Sequence, residues 1–246
     1  MYNFFVKNEN LNGDIAIIDG KDFNHIKNVL RMKVGEEFLI SVNGENNLCK
    51  LLEFTSTHAL AKVIEKNFMD TSLPIEIYLF QGLTKGDKFE LIIQKAVELG
   101  VAKIIPVQME RCVAKIEDSK AISKTERFNA IAESAAKQCK RDFIPQVEKP
   151  LSFKQALDLA KKLDLLLVPY ENQKGILSTK EALPLIKKWH KVGVLIGPEG
   201  GFSDNEISLA SEFGKPISLG KRILRAETAS FTALSMLMLY AEMCLE

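Results

Sequence analysis

LIGPEGGFSDNEI, residues 195–207, is the stretch on which the reading of the fold turns. Val194, Leu195 and Ile196 read as the end of a buried strand. Gly197, Gly200 and Gly201 give the following turn a backbone freedom that residues with side chains lack. Ser203 followed by Glu206 has capping-box spacing, so a helix begins there. The turn is not a phosphate cradle of a known kind. A P-loop needs Lys and then Ser or Thr after its second glycine, a dinucleotide fingerprint needs G-x-G-x-x-G, and neither is present. Pro198 also removes a backbone donor that an anion would use. Two readings stay open from spacing alone: an ordinary strand-to-helix turn, or a turn that lets the backbone approach a ligand closely.

The surroundings favour the second. IEIYLFQ (75–81), AKIIPVQ (102–108), DLLLVPY (164–170), VGVLIG (192–197) and PISLG (216–220) read as strands. The continuous apolar runs are of the type buried on both faces of a parallel sheet. Helices are expected over 87–99, closed by Gly100, over 123–140, opened by Ser123 with Glu126, and from about Ala226 onward. This alternation predicts an α/β domain over 74–246. The strand ends would then present three loops, 169–175, 197–203 and 219–228, on the edge where open α/β sheets bind ligands.

Residues 1–70 have a different rhythm. Short β-like runs at 15–18, 37–42, 47–54 and 59–65 surround one short helix at about 22–32. Asn43-Gly44 is a hairpin signal. A small β-barrel or sandwich is expected, followed by a polar linker over 67–74.

Composition narrows the function classes. Of the 246 residues, 46% are hydrophobic and 26% charged, as in globular proteins, and the net charge of +1 confines any nucleic-acid site to a local patch. The four cysteines form no C-x-x-C pair and the three histidines no cluster, so no metal is expected. The first residues lack a signal-peptide core. The apolar tail 229–245 reads as too polar and slightly too short to span a bilayer, so a cytoplasmic protein is expected.

LIGPEGGFSDNEI, followed about twenty residues later by SLGKRILRAETA (218–229), resembles the RsmE family, ribosomal RNA methyltransferases of the SPOUT class that methylate a uridine at N3 in small-subunit RNA. KGDKFELIIQKAVELGV (85–101), ERCVAK (110–115), AAKQCKR (135–141) and HIKNVLRMKVG (25–35) are similar to further signatures of that family, in the same order. The resemblance implies a knotted α/β methyltransferase domain with a trefoil knot, an amino-terminal PUA-like β-barrel, S-adenosylmethionine as methyl donor, 16S ribosomal RNA in the small subunit or its precursor as substrate, and a homodimer. It implies no metal and no membrane. One departure stands at Asn3, where the family has Arg, which puts one RNA contact in doubt. Two alternatives are a SPOUT enzyme acting on another RNA, such as a transfer RNA ribose, and a non-catalytic dimeric RNA-binding protein.

The resemblance also implies site residues. Leu195, Gly197, Gly200 and Gly201 would approach the cofactor through their backbone, and Ile217, Leu219, Gly220 and Leu224 would form an apolar slot for its adenine. Gly200→Val is expected to block that approach while leaving the fold intact. Arg225 would stabilise the uridine anion, with Glu199, Glu227 or Thr228 as positioning or proton-accepting groups; the sequence does not choose among the three. RNA contacts are expected from His25, Arg31, Lys33, Lys85 and Arg111, with Lys27 and Lys88 nearby. Arg127, Ser134, Gln138 and Arg141 would form a further stripe along the 123–140 helix, beside a buried stripe of Phe128, Ile131, Ala135 and Cys139.

Overall fold

The computed structural model describes every residue except Lys174, Trp189 and Glu246, and leaves aside the side chain of Asp118. The chain divides into two compact units, Met1–Ser72 with Ala136–Ile144, and Leu73–Ala135 with Pro145–Glu246. The first therefore takes in a short excursion from the middle of the sequence, which a single cut near residue 72 leaves out.

In the first unit, β1 (Asn3–Phe5), β2 (Leu11–Asn12), β3 (Ile15–Ile18), β4 (Glu37–Val42), β5 (Glu45–Phe54) and β6 (Ala59–Met69) form one sheet in the order β1-β4-β5-β6-β3-β2. The β4–β5 turn is Asn43-Gly44, with φ of 52° and 82°, the two positive values a two-residue hairpin turn requires. Alternate side chains of these strands, including Phe4, Phe38, Ile40 and Leu51, fill one apolar core. The expected linker is partly strand, because β6 continues to Met69. The expected helix at 22–32 starts earlier, as α1 (Gly20–Asn24), and winds on as a π-helical turn over His25–Val29.

Asn3 is buried in this unit. Its amide donates to the Arg141 carbonyl at 3.0 Å, and its carbonyl accepts from the Ser41 hydroxyl at 3.1 Å, while Asn46 donates to the Lys140 carbonyl. The residue at the family's Arg position is thus an interior strut that ties the 136–144 excursion to β1 and β4. A buried polar side chain with its hydrogen bonds made is stable there; one left unpaired would cost about 1–3 kcal/mol.

The second unit contains β7 (Glu76–Gly82), α2 (Lys88–Glu98), β8 (Lys103–Gln108), α3 (Asp118–Cys139), β9 (Gln146–Val147), β10 (Leu151–Ser152), α4 (Phe153–Ala160), β11 (Leu165–Pro169), α5 (Leu177–Ala182), β12 (Lys191–Ile196), α6 (Asp204–Ser211), β13 (Lys215–Ile217) and α7 (Ala226–Leu245). Its strands pair in parallel in the order β10-β8-β7-β12-β11-β13, with β9 beside β8. β12, β11 and β13 are neighbours, so their three carboxyl-terminal loops share one edge. α4 escaped the sequence reading, although Ser152 and Gln155 form a capping box of readable spacing.

Helix α3 starts at Asp118 rather than at Ser123. The Ser123 hydroxyl donates to the Lys120 carbonyl at 3.1 Å, which places Ser123 inside the helix instead of at its cap. Its buried stripe is Phe128, Ala132, Ala135 and Ala136, with Ile131 and Cys139 only half-buried. α7 packs on α2, on β12 and on the 3-10 turn Leu183–Lys188. Because it begins at Ala226, it is a 20-residue helix long and apolar enough, by length and composition, to cross a membrane, which corrects the expectation of a tail too short and too polar. Ala233, Leu234, Leu237 and Ala241 are buried, whereas Leu239 and Met243 are exposed.

Candidate active site

The capping box is formed as its spacing predicts. Ser203 Oγ accepts from the Glu206 N–H at 3.3 Å, and Glu206 Oε2 accepts from the Ser203 N–H at 3.0 Å. Glu206 is 4% exposed, and its second oxygen accepts from the Glu110 N–H at 2.8 Å. One buried carboxylate therefore joins the glycine-rich turn to the loop after β8. That loop carries Arg111, whose guanidinium donates to the Gly200 carbonyl at 3.4 Å.

The glycines serve the turn itself as much as any ligand. A Cβ on Gly200 would stand 2.9 Å from Arg111 Cβ and 3.0 Å from its carbonyl oxygen; one on Gly201, whose φ is +69°, would stand 2.7 Å from Glu171 Oε1. Gly82, at the end of β7, approaches Pro198 so closely that a Cβ there would meet its nitrogen at 2.6 Å. The expectation that Gly200→Val spares the fold is thereby corrected: the added methyls collide with Arg111 and displace the turn. Gly220 differs. Its φ is +115°, and the space where a Cβ would sit is open.

A cleft of about 560 Å³ opens among the three loops. Gly197, Glu199, Gly200, Gly201, Leu219, Gly220, Leu224 and Arg225 line it, together with Lys88, Tyr170, Phe202 and Arg222. Leu195 and Ile217 do not: they are 1% and 0% exposed inside β12 and β13, and their successors Ile196 and Ser218 reach the wall instead. Strand side chains alternate between faces, so at both strand ends the side chain that meets the cleft is one residue further on, which leaves Leu195 only the backbone approach expected of it. Lys174 of the first loop lies outside the described residues.

The charges fall into an arrangement the sequence did not show. Glu199 does not pair with Arg225. Its Oε1 accepts from the Lys85 N–H at 3.1 Å and lies 3.3 Å from Lys88 Nζ. Lys88 Nζ is also 3.9 Å from Glu227 Oε2. Partial burial alone would raise the Glu199 carboxyl, but these hydrogen bonds and the Lys88 charge outweigh it and hold the group below its ordinary value. A lowered carboxyl adds stability that is present above the ordinary value of 4.5 and is lost as the pH falls through the folded-state value. Acidification from 4.5 down through that value is therefore expected to lower the melting temperature less steeply in Glu199→Gln than in the parent, a comparison for differential scanning calorimetry. Arg225 is exposed and, among the described residues, makes no ion pair. Thr228 is exposed and Glu227 mostly buried on the first turn of α7, neither on the cleft wall, while Ala226 and Ala229 are. Among the described residues no group of His, Cys, Asp or Glu is placed to hold a metal ion.

The expected RNA contacts divide. Arg31, Lys33, Lys85 and Arg111 are exposed, as are Arg127, Ser134 and Gln138 along α3. Arg127 is engaged with Glu90 at 2.8 Å. His25 is half-buried, its ring edge-on to Phe4. Arg141 is corrected: it is 4% exposed, with its guanidinium 4.2 Å above the Phe143 ring. The helix ends at Cys139, and Lys140 takes a left-handed φ of 61°, so the chain turns and Arg141 leaves the stripe. Arg141→Ala is expected to cost stability through lost stacking and packing, read as a lower melting temperature, in place of the phosphate contact the sequence suggested.

Comparison with known proteins now decides the family. Residues 71–238 match the RNA methyltransferase domain family, and residues 18–64 the RNA methyltransferase PUA domain family. The ribosomal RNA small subunit methyltransferase E of Bacillus subtilis is 39% identical over 223 residues, 89% of this chain and 87% of that protein. The chain belongs to the ribosomal RNA small subunit methyltransferase E family. A family member from Neisseria gonorrhoeae, solved bound to S-adenosyl methionine, superposes with a TM-score of 0.83 at 29% identity, covering 97% of each chain. A Legionella pneumophila protein solved with the cofactor SAM gives 0.82 at 31% identity over 96% of each chain. As a family member with this domain, the chain is an RNA methyltransferase.

Proposed function

We propose that this methyltransferase transfers the methyl group of S-adenosylmethionine to N3 of a uridine in 16S ribosomal RNA, within the small subunit or its precursor in the cytoplasm. The observation that carries the reading is the convergence of three strand-end loops on one cleft bordered by Arg225. The cleft suits the cofactor: its volume is in the range for ligands of that size, its wall mixes apolar side chains with exposed backbone, and the open space at Gly220 admits a close neighbour. Gly197, Gly200, Gly201, Leu219, Gly220 and Leu224 would hold it. Bound there, it supplies an electrophilic methyl group on sulfur. We read the carboxyl-terminal part of the second unit as the family's trefoil knot and the first unit as its PUA-like barrel. His25, Arg31, Lys33 and Gln138 of the first unit and Lys85, Arg111 and Arg127 of the second would contact the RNA.

The chain's own residues have two tasks. Uridine N3 carries a proton at neutral pH, and its anion is the nucleophile. Making that anion more available by two pKa units is worth about 2.7 kcal/mol. Arg225, without an ion pair among the described residues, supplies a cation at the cleft that stabilises it. The loops align nitrogen, methyl and sulfur. A tritium-transfer assay on small ribosomal subunits, followed by nucleoside analysis, tests the reading: label on uridine N3 is expected, and label on a ribose or another base refutes it. Mass spectrometry of ribosomal RNA from a deletion strain, with and without the restored gene, identifies the position.

The exposed Leu239 and Met243 of α7 favour a two-fold dimer through this helix, since an apolar face gains about 25 cal/mol per Å² when covered. Light scattering at micromolar concentration is expected to give twice the 27.6 kDa chain mass; a monomer mass refutes it.

A further inference from the structure

The sequence leaves three candidates for the group that receives the uridine proton. The structure separates them. Glu199 is occupied: one oxygen takes both the Lys85 N–H and the Lys88 ammonium, and these interactions lower its basicity, which makes it a poor proton acceptor. Thr228 is an exposed alcohol, too weak a base to take the proton. Glu227 is different. Its side chain is 14% exposed, and Oε2 is fully buried with no hydrogen-bond partner among the described residues. Its polar neighbour is Lys88 Nζ at 3.9 Å, within ion-pair range but beyond hydrogen-bond distance, and that ammonium is closer to Glu199. A buried carboxylate oxygen left without a donor is costly, and such groups concentrate where function needs them. What this oxygen lacks is an N–H donor, and that is what a uridine N3–H offers.

Resting on the methyltransferase reading above, we propose that Glu227 is the catalytic proton acceptor, that Lys88 is a positioning residue beside it, and that Glu199 anchors the loop. Lys88 lines the cleft and stands 3.9 Å from Oε2, and Glu227 lies just behind the wall residues Ala226 and Ala229, so the proposal requires its side chain to turn from behind the wall toward the bound base. In the step, the N3–H bond breaks and its proton goes to Glu227 Oε2. The electron pair left on N3 forms the new N–CH3 bond, and the sulfur keeps the pair of the broken S–CH3 bond as a neutral thioether. The proton then passes to solvent as products leave.

The test compares the parent with Glu227→Gln, Glu227→Asp and Glu199→Gln. Calorimetry reads S-adenosylmethionine affinity, and single-turnover assays on small subunits read the chemical step. Glu227→Gln is expected to bind the cofactor as the parent does and to lose about 10²–10³-fold in rate, the usual worth of a positioned base. Glu227→Asp is expected to recover part of it, and Glu199→Gln to weaken cofactor binding through the loop. Subunits reconstituted with RNA containing 5-fluorouridine add a readout that a structural role would not move. Fluorine makes N3–H more acidic, so the gap between parent and Glu227→Gln is expected to narrow. A Glu227→Gln enzyme as fast as the parent, a loss of cofactor affinity that accounts for the rate loss, or an undiminished gap with fluorouridine each overturns the assignment while leaving the methyltransferase reading standing. A parent enzyme that places no methyl on uridine N3 overturns that reading, and the proposal with it.

Discussion

Arg225→Ala is expected to lower turnover by about 10²–10³-fold, the typical cost of removing a preorganised group that stabilises a developing anion. The cofactor's dissociation constant is expected to change little. The physical reason is the position of Arg225: it lines the cleft, yet among the described residues it neutralises no carboxylate of its own chain. A guanidinium already paired with Glu199 would have less of its charge to offer a substrate anion; here Lys88 takes that partner. The effect belongs to the transition state, so kcat and kcat/KM fall together. Arg225→Lys is expected to recover part of the rate, because the charge remains while the planar donor fork is lost. A rise in KM at constant kcat would show instead that Arg225 merely binds RNA.

Glu206→Ala has the largest expected effect on stability. It leaves the buried Ser203 N–H without its acceptor, at about 1–3 kcal/mol, removes half of a capping box, and releases the N–H of the exposed Glu110, which water can take over at little cost. A loss of roughly 2–4 kcal/mol lowers the melting temperature by about 8 °C in a chain of this size. Glu206→Gln keeps one acceptor oxygen and is expected to fall between the two. Since Glu206 seats the loop bearing Arg111 against the turn bearing Gly200, cofactor affinity is expected to fall along with stability in both variants. Thermal unfolding and calorimetry on the same samples check this. An unchanged melting temperature would show that water replaces the carboxylate.

Local chemistry was legible where a residue's role depends on its neighbours along the chain. The Ser203–Glu206 box, the Asn43-Gly44 turn and the apolar strands are settled within a few residues, and each stands where the spacing puts it. The same local rule misled at Ser123, because a Ser three residues before a Glu also occurs inside a helix that starts earlier, at Asp118. The Leu195 and Ile217 side chains face the core one residue short of the cleft wall, because an apolar run does not say at which residue a strand stops facing the core.

The sequence by itself determined the α/β alternation, the separate β-rich first unit, the three loops and, through the resemblance of its motifs, the methyltransferase family. Tertiary structure alone decided which charges meet. Lys88 is 111 residues from Glu199 and 139 from Glu227 by their numbering, yet its ammonium reaches both; Arg141 is 138 residues from Asn3, which hydrogen-bonds to its carbonyl. An ion pair is a property of distances of a few ångströms, and the Lys88 pairings come into existence only when the parallel order of β7, β12, β11 and β13 brings their strand ends to one edge, as the Asn3–Arg141 bond does only when the 136–144 excursion folds into the first unit.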